Sequence, residues 1–257
     1  LYARCMYYMG FYYSLNDSLE RANYCLKEAQ RTAKVQKDTA TLCLAMTRYS
    51  WVVRKTHPEA GLEYAKRVLG LYEKYSKRNA FNIVYNTLMV CECENFCGNP
   101  RRAFSLAQQA EKNALALGDS TVISDVYQDM AYFAVSLGDK RSTHFALLSC
   151  RYSDTRFVSK RLMLAKAYEK TGNYHECINL LDTLRLENNG QRYEAFAMRH
   201  RAAVKLNDPA ALSYADSAYH YIEAMFDDEL CDKTIYFEKL MQEKTERLQA
   251  EAWTVVY

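Results

Sequence analysis

Three cysteines come closest to a reactive arrangement in this chain: Cys91-x-Cys93-x-x-x-Cys97. Thiolates ligate zinc or exchange disulfides, but a zinc site needs four donors in tetrahedral geometry, commonly supplied by short knuckles. On a continuous helix Cys93 and Cys97 share a face one turn apart, while Cys91 points elsewhere. No histidine lies near them in sequence, so packing thiols are favoured over metal or redox chemistry. The remaining cysteines, Cys5, Cys25, Cys43, Cys150, Cys177 and Cys231, are scattered along the chain. Several stand where helix packing takes a small apolar residue, and a free thiol behaves as one. The five histidines, His57, His144, His175, His200 and His220, sit singly. None forms an HExxH pair or meets a serine nucleophile in a recognisable frame. His57 and His175 read as surface residues. Glycine-rich phosphate loops are missing, and paired carboxylates such as Asp227-Asp228 lie in charged surface contexts. These residues argue against an enzyme and imply no metal and no cofactor.

The elements that carry them are helical. A 49% hydrophobic and 25% charged composition suits a folded soluble chain. With three prolines and eight glycines in 257 residues, helices are expected to be long and linkers short. No alternating Val/Ile run argues for a strand, so the chain reads as all-α. Its 34 basic and 31 acidic side chains are interspersed. Arg101-Arg102 and Lys77-Arg78 are short pairs on solvated faces. Nucleic-acid contact needs clustered positive charge and is disfavoured.

Gly98-Asn99, Gly138-Asp139 and Gly172-Asn173 recur 40 and 34 residues apart, and Asn207-Asp208 falls on the next beat. Each follows one apolar stretch at helical spacing and precedes another, the punctuation of stacked helix pairs. Pro58, Pro100 and Pro209 each fall where the second helix of a pair should begin, a position that tolerates the missing N–H. Gly118-Asp119 and Asn188-Asn189-Gly190 read as breaks between pairs. Asp154 is a candidate helix cap.

The packing positions follow in order. The first pair offers Met6, Met9, Gly10 and Tyr13, then Ala22, Leu26 and Ala29. The third offers Val90, Cys91, Ala103, Ala107 and Ala110, and the fourth Tyr127, Met130, Ala131 and Leu147. The fifth offers Leu164, Ala165, Tyr168, Gly172, Tyr174, Cys177 and Leu181, and the sixth Met198, Ala202, Ala211, Ala215 and Ala218. In the second pair, Tyr64, Ala65, Val68 and Leu69 mark the second helix, and the register of the first is open. This order of large, small and aromatic residues resembles the tetratricopeptide repeat (TPR). The resemblance covers about residues 3 to 223 and implies a right-handed superhelical α-solenoid of about six helix pairs. Residues 1–223 would form the array and 224–257 a further helix.

That last segment carries Leu230, Phe237, Met241 and Leu248 as a heptad-like stripe, with Glu229/Lys233 and Glu243/Arg247 four apart. It is read as a capping helix, or as a stalk that dimerises or approaches a membrane beyond Trp253 and Tyr257. The stretch from Asp227 to Trp253 is similar to the juxtamembrane region of TPR sensor and regulator proteins common in Bacteroidetes. That resemblance implies an extracytoplasmic sensing segment, with a span just beyond Tyr257 and a signalling or transcription-regulatory parent. The chain reads as a piece of that longer protein. The alternative is a cytoplasmic scaffold without a membrane link. In such arrays the first helices line a concave groove. The face opposite the packing positions places Tyr7, Phe11, Tyr85, Asn95, Gln128, Tyr132, Lys166, Tyr193, Phe196 and His200 there, suited to an extended peptide or partner helix.

Overall fold

In a computed structural model that describes residues 1–16, 18–75, 80–154 and 157–226, the chain is a run of antiparallel helices. They are α1 (Tyr2–Leu15), α2 (Leu19–Val35), α3 (Thr39–Val53), α4 (Pro58–Tyr75), α5 (Ala80–Phe96) and α6 (Pro100–Leu117). They continue as α7 (Ser120–Leu137), α8 (Ser142–Tyr152), α9 (Val158–Thr171), α10 (Tyr174–Asp182) and α11 (Asn189–Leu206). A twelfth helical stretch, α12, spans 211–226. No strand occurs among the described residues, and the fold is an all-α solenoid.

Each helix packs on the next in sequence, and each first helix of a pair also touches the next first helix: α1 on α3, α3 on α5, α5 on α7, α7 on α9 and α9 on α11. Second helices make no comparable contact with one another among the described residues. First helices therefore lie closer together than second helices, and the stack curves toward them. This puts α1, α3, α5, α7, α9 and α11 on the concave side.

The sequence dictates both the helices and their approach. In α2 the residues Ala22, Leu26, Ala29 and Ala33 form a buried stripe, while Lys27, Arg31 and Lys34 face solvent. Ala103, Ala107, Ala110 and Ala114 do the same in α6. Small side chains let backbones close in. A Cβ on Gly10 would fall 2.7 Å from Leu26 Cγ and 3.3 Å from the Ala22 carbonyl oxygen. Turns inside the pairs need a left-handed residue: Gly98, Gly138 and Gly172 have φ of 83°, 66° and 85°, and Asn207 takes the same role at 55°. Pro58 and Pro100 open α4 and α6. Asp38 and Asp119 cap α3 and α7, accepting from Thr41 N at 3.0 Å and Thr121 N at 2.9 Å.

Several expectations shift. Met9 and Leu147 point to solvent, because the contacts of their helices run through Met6 and Gly10, and through Phe145 and Ala146. Pro209 lies in the turn before α12 rather than in its first turn. Asn188 starts a helix, its side chain accepting from Gln191 N at 2.9 Å. The residue before α9 is Phe157 rather than Asp154, and the helix begins at Val158. The second pair, unreadable in its first half, packs Ser50 on Gly61, with the Ser50 hydroxyl donating to the Gly61 carbonyl at 2.7 Å.

The second helices shorten from 17 residues in α2 and 18 in α4 and α6 to 11 in α8 and 9 in α10, and α12, at 211–226, is long again. The largest apolar cluster lies in the middle, from Val84 in α5 to Ala167 in α9, around Phe104, Phe133 and Phe145. The stripe Leu230 to Leu248 lies outside the described residues, and the expected division at 223/224 falls within α12, which runs on to 226.

Candidate functional site

Polar side chains link every neighbouring pair of first helices. Arg48 of α3 donates from Nε to Ser14 Oγ of α1 at 2.6 Å. Arg54 of α3 pairs with Glu92 of α5 at 2.5 Å, and Thr47 Oγ1 donates to Asn86 Oδ1 at 2.9 Å. The Tyr85 hydroxyl of α5 donates to Asp125 Oδ2 of α7 at 2.6 Å, and Lys160 of α9 pairs with the other oxygen of that carboxylate. Arg201 of α11 grips Glu169 of α9 through two bonds of 2.7 and 2.9 Å, the bidentate geometry that makes such pairs strong.

Aromatic rings frame this ladder. The Arg48 guanidinium lies 4.3 Å from the Phe11 ring centre and 4.4 Å from that of Trp51. Arg54 stacks on the other contact of Trp51 at 4.3 Å and reaches Phe96 at 5.7 Å. Further along, Lys166 sits 5.4 Å from the Tyr132 ring and 4.0 Å from Glu194.

The centre is electrically unbalanced. Glu92 of α5 and Asp125 and Asp129 of α7 lie close enough to interact, flanked by Arg54 and Lys160. Arg54 is bonded to Glu92, and Lys160 to Asp125, which leaves Asp129 with no hydrogen bond or ion pair among the described residues. Burial pushes the Asp129 carboxyl well above the ordinary carboxylate range, and repulsion from Glu92 and Asp125 adds to it. Burial also raises Glu92, against the pull of Arg54. Tyr85 and Tyr132 are raised by burial, with Asp125 adding to the first and Glu92 to the second.

Of the residues expected in the groove, Tyr7 and Phe11 stand together on α1, their ring centres 6.2 Å apart. Tyr85, Tyr132 and Lys166 join the inter-helix contacts above. Asn95 and Gln128 are half-buried on α5 and α7, and Tyr193 on α11. Phe196 and His200 are not brought to this row. Phe196 stacks on Tyr221 of α12 at 5.6 Å and meets Tyr214 at 6.4 Å. His200 Nδ1 lies 2.9 Å from the Ala211 carbonyl oxygen. Both face the second helix of their own pair. His200 also borders a cavity of about 390 Å³ shared with Lys170, Tyr174, Arg201 and Lys205.

Sequence reasoning passed over Arg54, Glu92, Asp125, Asp129 and Lys160. Part of the signal was there: Glu92, Asp125 and Asp129 are acids inside otherwise apolar first helices. The cysteines pack. Cys25, Cys43, Cys91, Cys93 and Cys177 are buried, Cys97 and Cys150 half-buried, and Cys5 exposed. Burial pushes the Cys93 thiol up to about 11, away from a reactive thiolate.

No family model matches the sequence, and no curated protein is significantly similar to it. Solved structures do match in fold. A Rap protein complexed with competence and sporulation factor superposes with a TM-score of 0.64 at 17% identity, over 91% of this chain and 75% of its own. The apo form of RapI gives 0.65 at 13%, over 89% and 86%. A putative kinesin light chain of Podospora anserina with nearly identical TPR-like repeats gives 0.55 at 13%, over 70% and 95%. At such identities the likeness is one of fold: a TPR-like solenoid.

Proposed function

We propose that this chain is a protein- or peptide-binding TPR module whose ligand lies along the concave row of first helices. The observation that supports it most is the concave floor itself. Aromatic and charged side chains from the six first helices stand there in order, and one carboxylate, Asp129, has no partner among the described residues. An extended ligand could exchange its own side chains for the inter-helix contacts at Tyr132–Lys166 and Arg54–Glu92. Tyr7, Phe11, Tyr85, Asn95, Gln128, Tyr132 and Lys166 are the residues we assign to that contact, with Tyr193 at its far end.

We further read the chain as the interaction segment of a larger signalling or transcription-regulatory protein, sensing a ligand in the groove. Residues 1–223 would be the sensing array and 224–257 the element that passes the signal on. No described helix is long and apolar enough to cross a membrane, so a membrane link would depend on sequence outside the described residues. One structure of this architecture was solved with a bound factor, which agrees with a ligand-holding role.

A random-peptide library selected on the immobilised chain tests the binding reading. Selected peptides should lose about tenfold or more in affinity for the Tyr132→Ala/Lys166→Ala variant, as anchor contacts at an interface do. Peptides that bind the variant undiminished, or whose hydrogen-exchange footprint falls on the second helices, would overturn it.

A further inference from the structure

Two ionic side chains on the concave row, of opposite sign, have no counter-charge of their own. The other charges there are paired across helices: Arg54 with Glu92, Lys160 with Asp125, Lys166 with Glu194 and Arg201 with Glu169. Arg48 of α3 is different. Its guanidinium donates to Ser14 Oγ and rests against the rings of Phe11 and Trp51, but no acid pairs with it among the described residues. Its Nη2 is shut off from water without a hydrogen-bond partner, and burial lowers its pKa. The serine and the two rings orient the group while supplying no negative charge. Asp129 of α7 is the converse, an acid whose neighbours Glu92 and Asp125 hold the nearby cations. Both side chains are half-buried, so they pay part of the desolvation of a charge and remain reachable from the groove.

The two stand at one position of the repeat. Buried residues correspond from α3 to α5 to α7: Ser50 with Cys91 and Ala131, and Val52 with Cys93 and Phe133. In that register Arg48, Met89 and Asp129 fall in line. Each charge looks toward the preceding first helix, since Arg48 reaches Ser14 of α1 and Asp129 lies near Glu92 of α5. The uncharged Met89 between them neutralises neither. Packed helices stand about 8–10 Å apart, so two steps along the row separate the charges by roughly 16–20 Å. An extended chain crosses that distance in about five or six residues.

Resting on the peptide-binding reading above, we propose that the groove selects an extended peptide bearing an acidic group and a basic side chain about five or six residues apart, the acid at Arg48 and the base at Asp129. Charge complementarity is the argument for this occupant. A carboxylate beside Arg48 gives the oriented guanidinium the anion it lacks. A lysine or arginine beside Asp129 relieves the crowding of three acids around two cations. A metal ion fits the second position less well, because hard cations gather several oxygen ligands and Glu92 and Asp125 already serve Arg54 and Lys160.

Peptides selected from a random library with free carboxyl termini, using the full chain as bait, test this. They should carry an acid and a lysine or arginine at that separation. Replacing the peptide's acid with glutamine should weaken binding about tenfold to the wild type and leave binding to Arg48→Gln unchanged. Replacing the peptide's base should act in the same way through Asp129→Asn. The substituted peptides leave the protein untouched, so their losses on the wild type are not failures of folding. Amidating the carboxyl terminus separates the two sources of the acid: a loss assigns Arg48 to the terminal carboxylate, and no loss assigns it to an aspartate or glutamate side chain. Peptides that need Tyr132 and Lys166 but lack the charge pair would overturn this proposal and leave the binding module standing. Losses of equal size on wild type and variants would do the same. Peptides that bind Tyr132→Ala/Lys166→Ala undiminished would overturn both.

Discussion

Asp129 is the side chain whose surroundings fit it least. It stands on α7 beside Glu92 and Asp125, and the two nearby cations are bonded to those two acids. Burial and this repulsion raise its pKa above the unfolded value, so the folded chain keeps the proton to higher pH than the unfolded chain does. Its contribution to stability is complete below the ordinary carboxylate range, near 4, and is lost as pH rises through the folded value. Asp129→Asn removes the ionisation. The melting temperature of the wild type should fall relative to that of the variant as pH is raised from acid toward neutral. Parallel curves would show that Asp129 ionises freely. This centre was only partly legible beforehand. Isolated acids in apolar helices can be read from the sequence, but Arg54 and Glu92, or Tyr85 and Asp125, are joined across whole helices by curvature. Spacing along one helix reveals which face a residue occupies, not which distant charge it meets.

Helices and turns were more open to reading, because their causes are local. The Gly-Asn and Gly-Asp dipeptides mark turns inside pairs since only a residue at ease with positive φ ends those helices. At Gly138, with φ of 66°, no heavy atom lies within 4 Å of where a Cβ would stand. Gly138→Ala should therefore cost only backbone strain, about 1–2 kcal/mol, read as a lower urea midpoint. Gly138→Asn should cost less, because asparagine tolerates this region better. Equal losses would mean that sterics outside the backbone set the cost. Where local causes were replaced by unusual ones, reading failed. The second pair hid its register because Ser50 and Gly61 join through a hydroxyl bond where other pairs use alanine contacts. The sixth pair misled in another way. Met198 and Ala202 pack toward the preceding pair, which turns Phe196 and His200 toward α12 and away from the groove.

The whole molecule is held unevenly. One continuous apolar cluster joins α5 through α9, while the outer pairs depend on smaller, separate clusters. Stacked repeats share stability only with their neighbours, so opening should be graded along the chain. Native-state hydrogen exchange should find the slowest amides in α5, α6 and α7 and faster ones in α1, α2, α10 and α11. Uniform protection from end to end would show that the array unfolds as one block. The shortening of the second helices adds a second asymmetry. At about 1.5 Å per residue, the outer wall drops from roughly 27 Å at α6 to roughly 14 Å at α10. Bending stiffness in a two-layer beam depends on both layers being present, and at α10 the second layer is half gone before α12, at 211–226, restores it. A bending load would therefore flex the array at the fifth pair before it strained the middle. The molecule thus has one compliant joint near its end, a local hinge hidden beneath its repeating pattern.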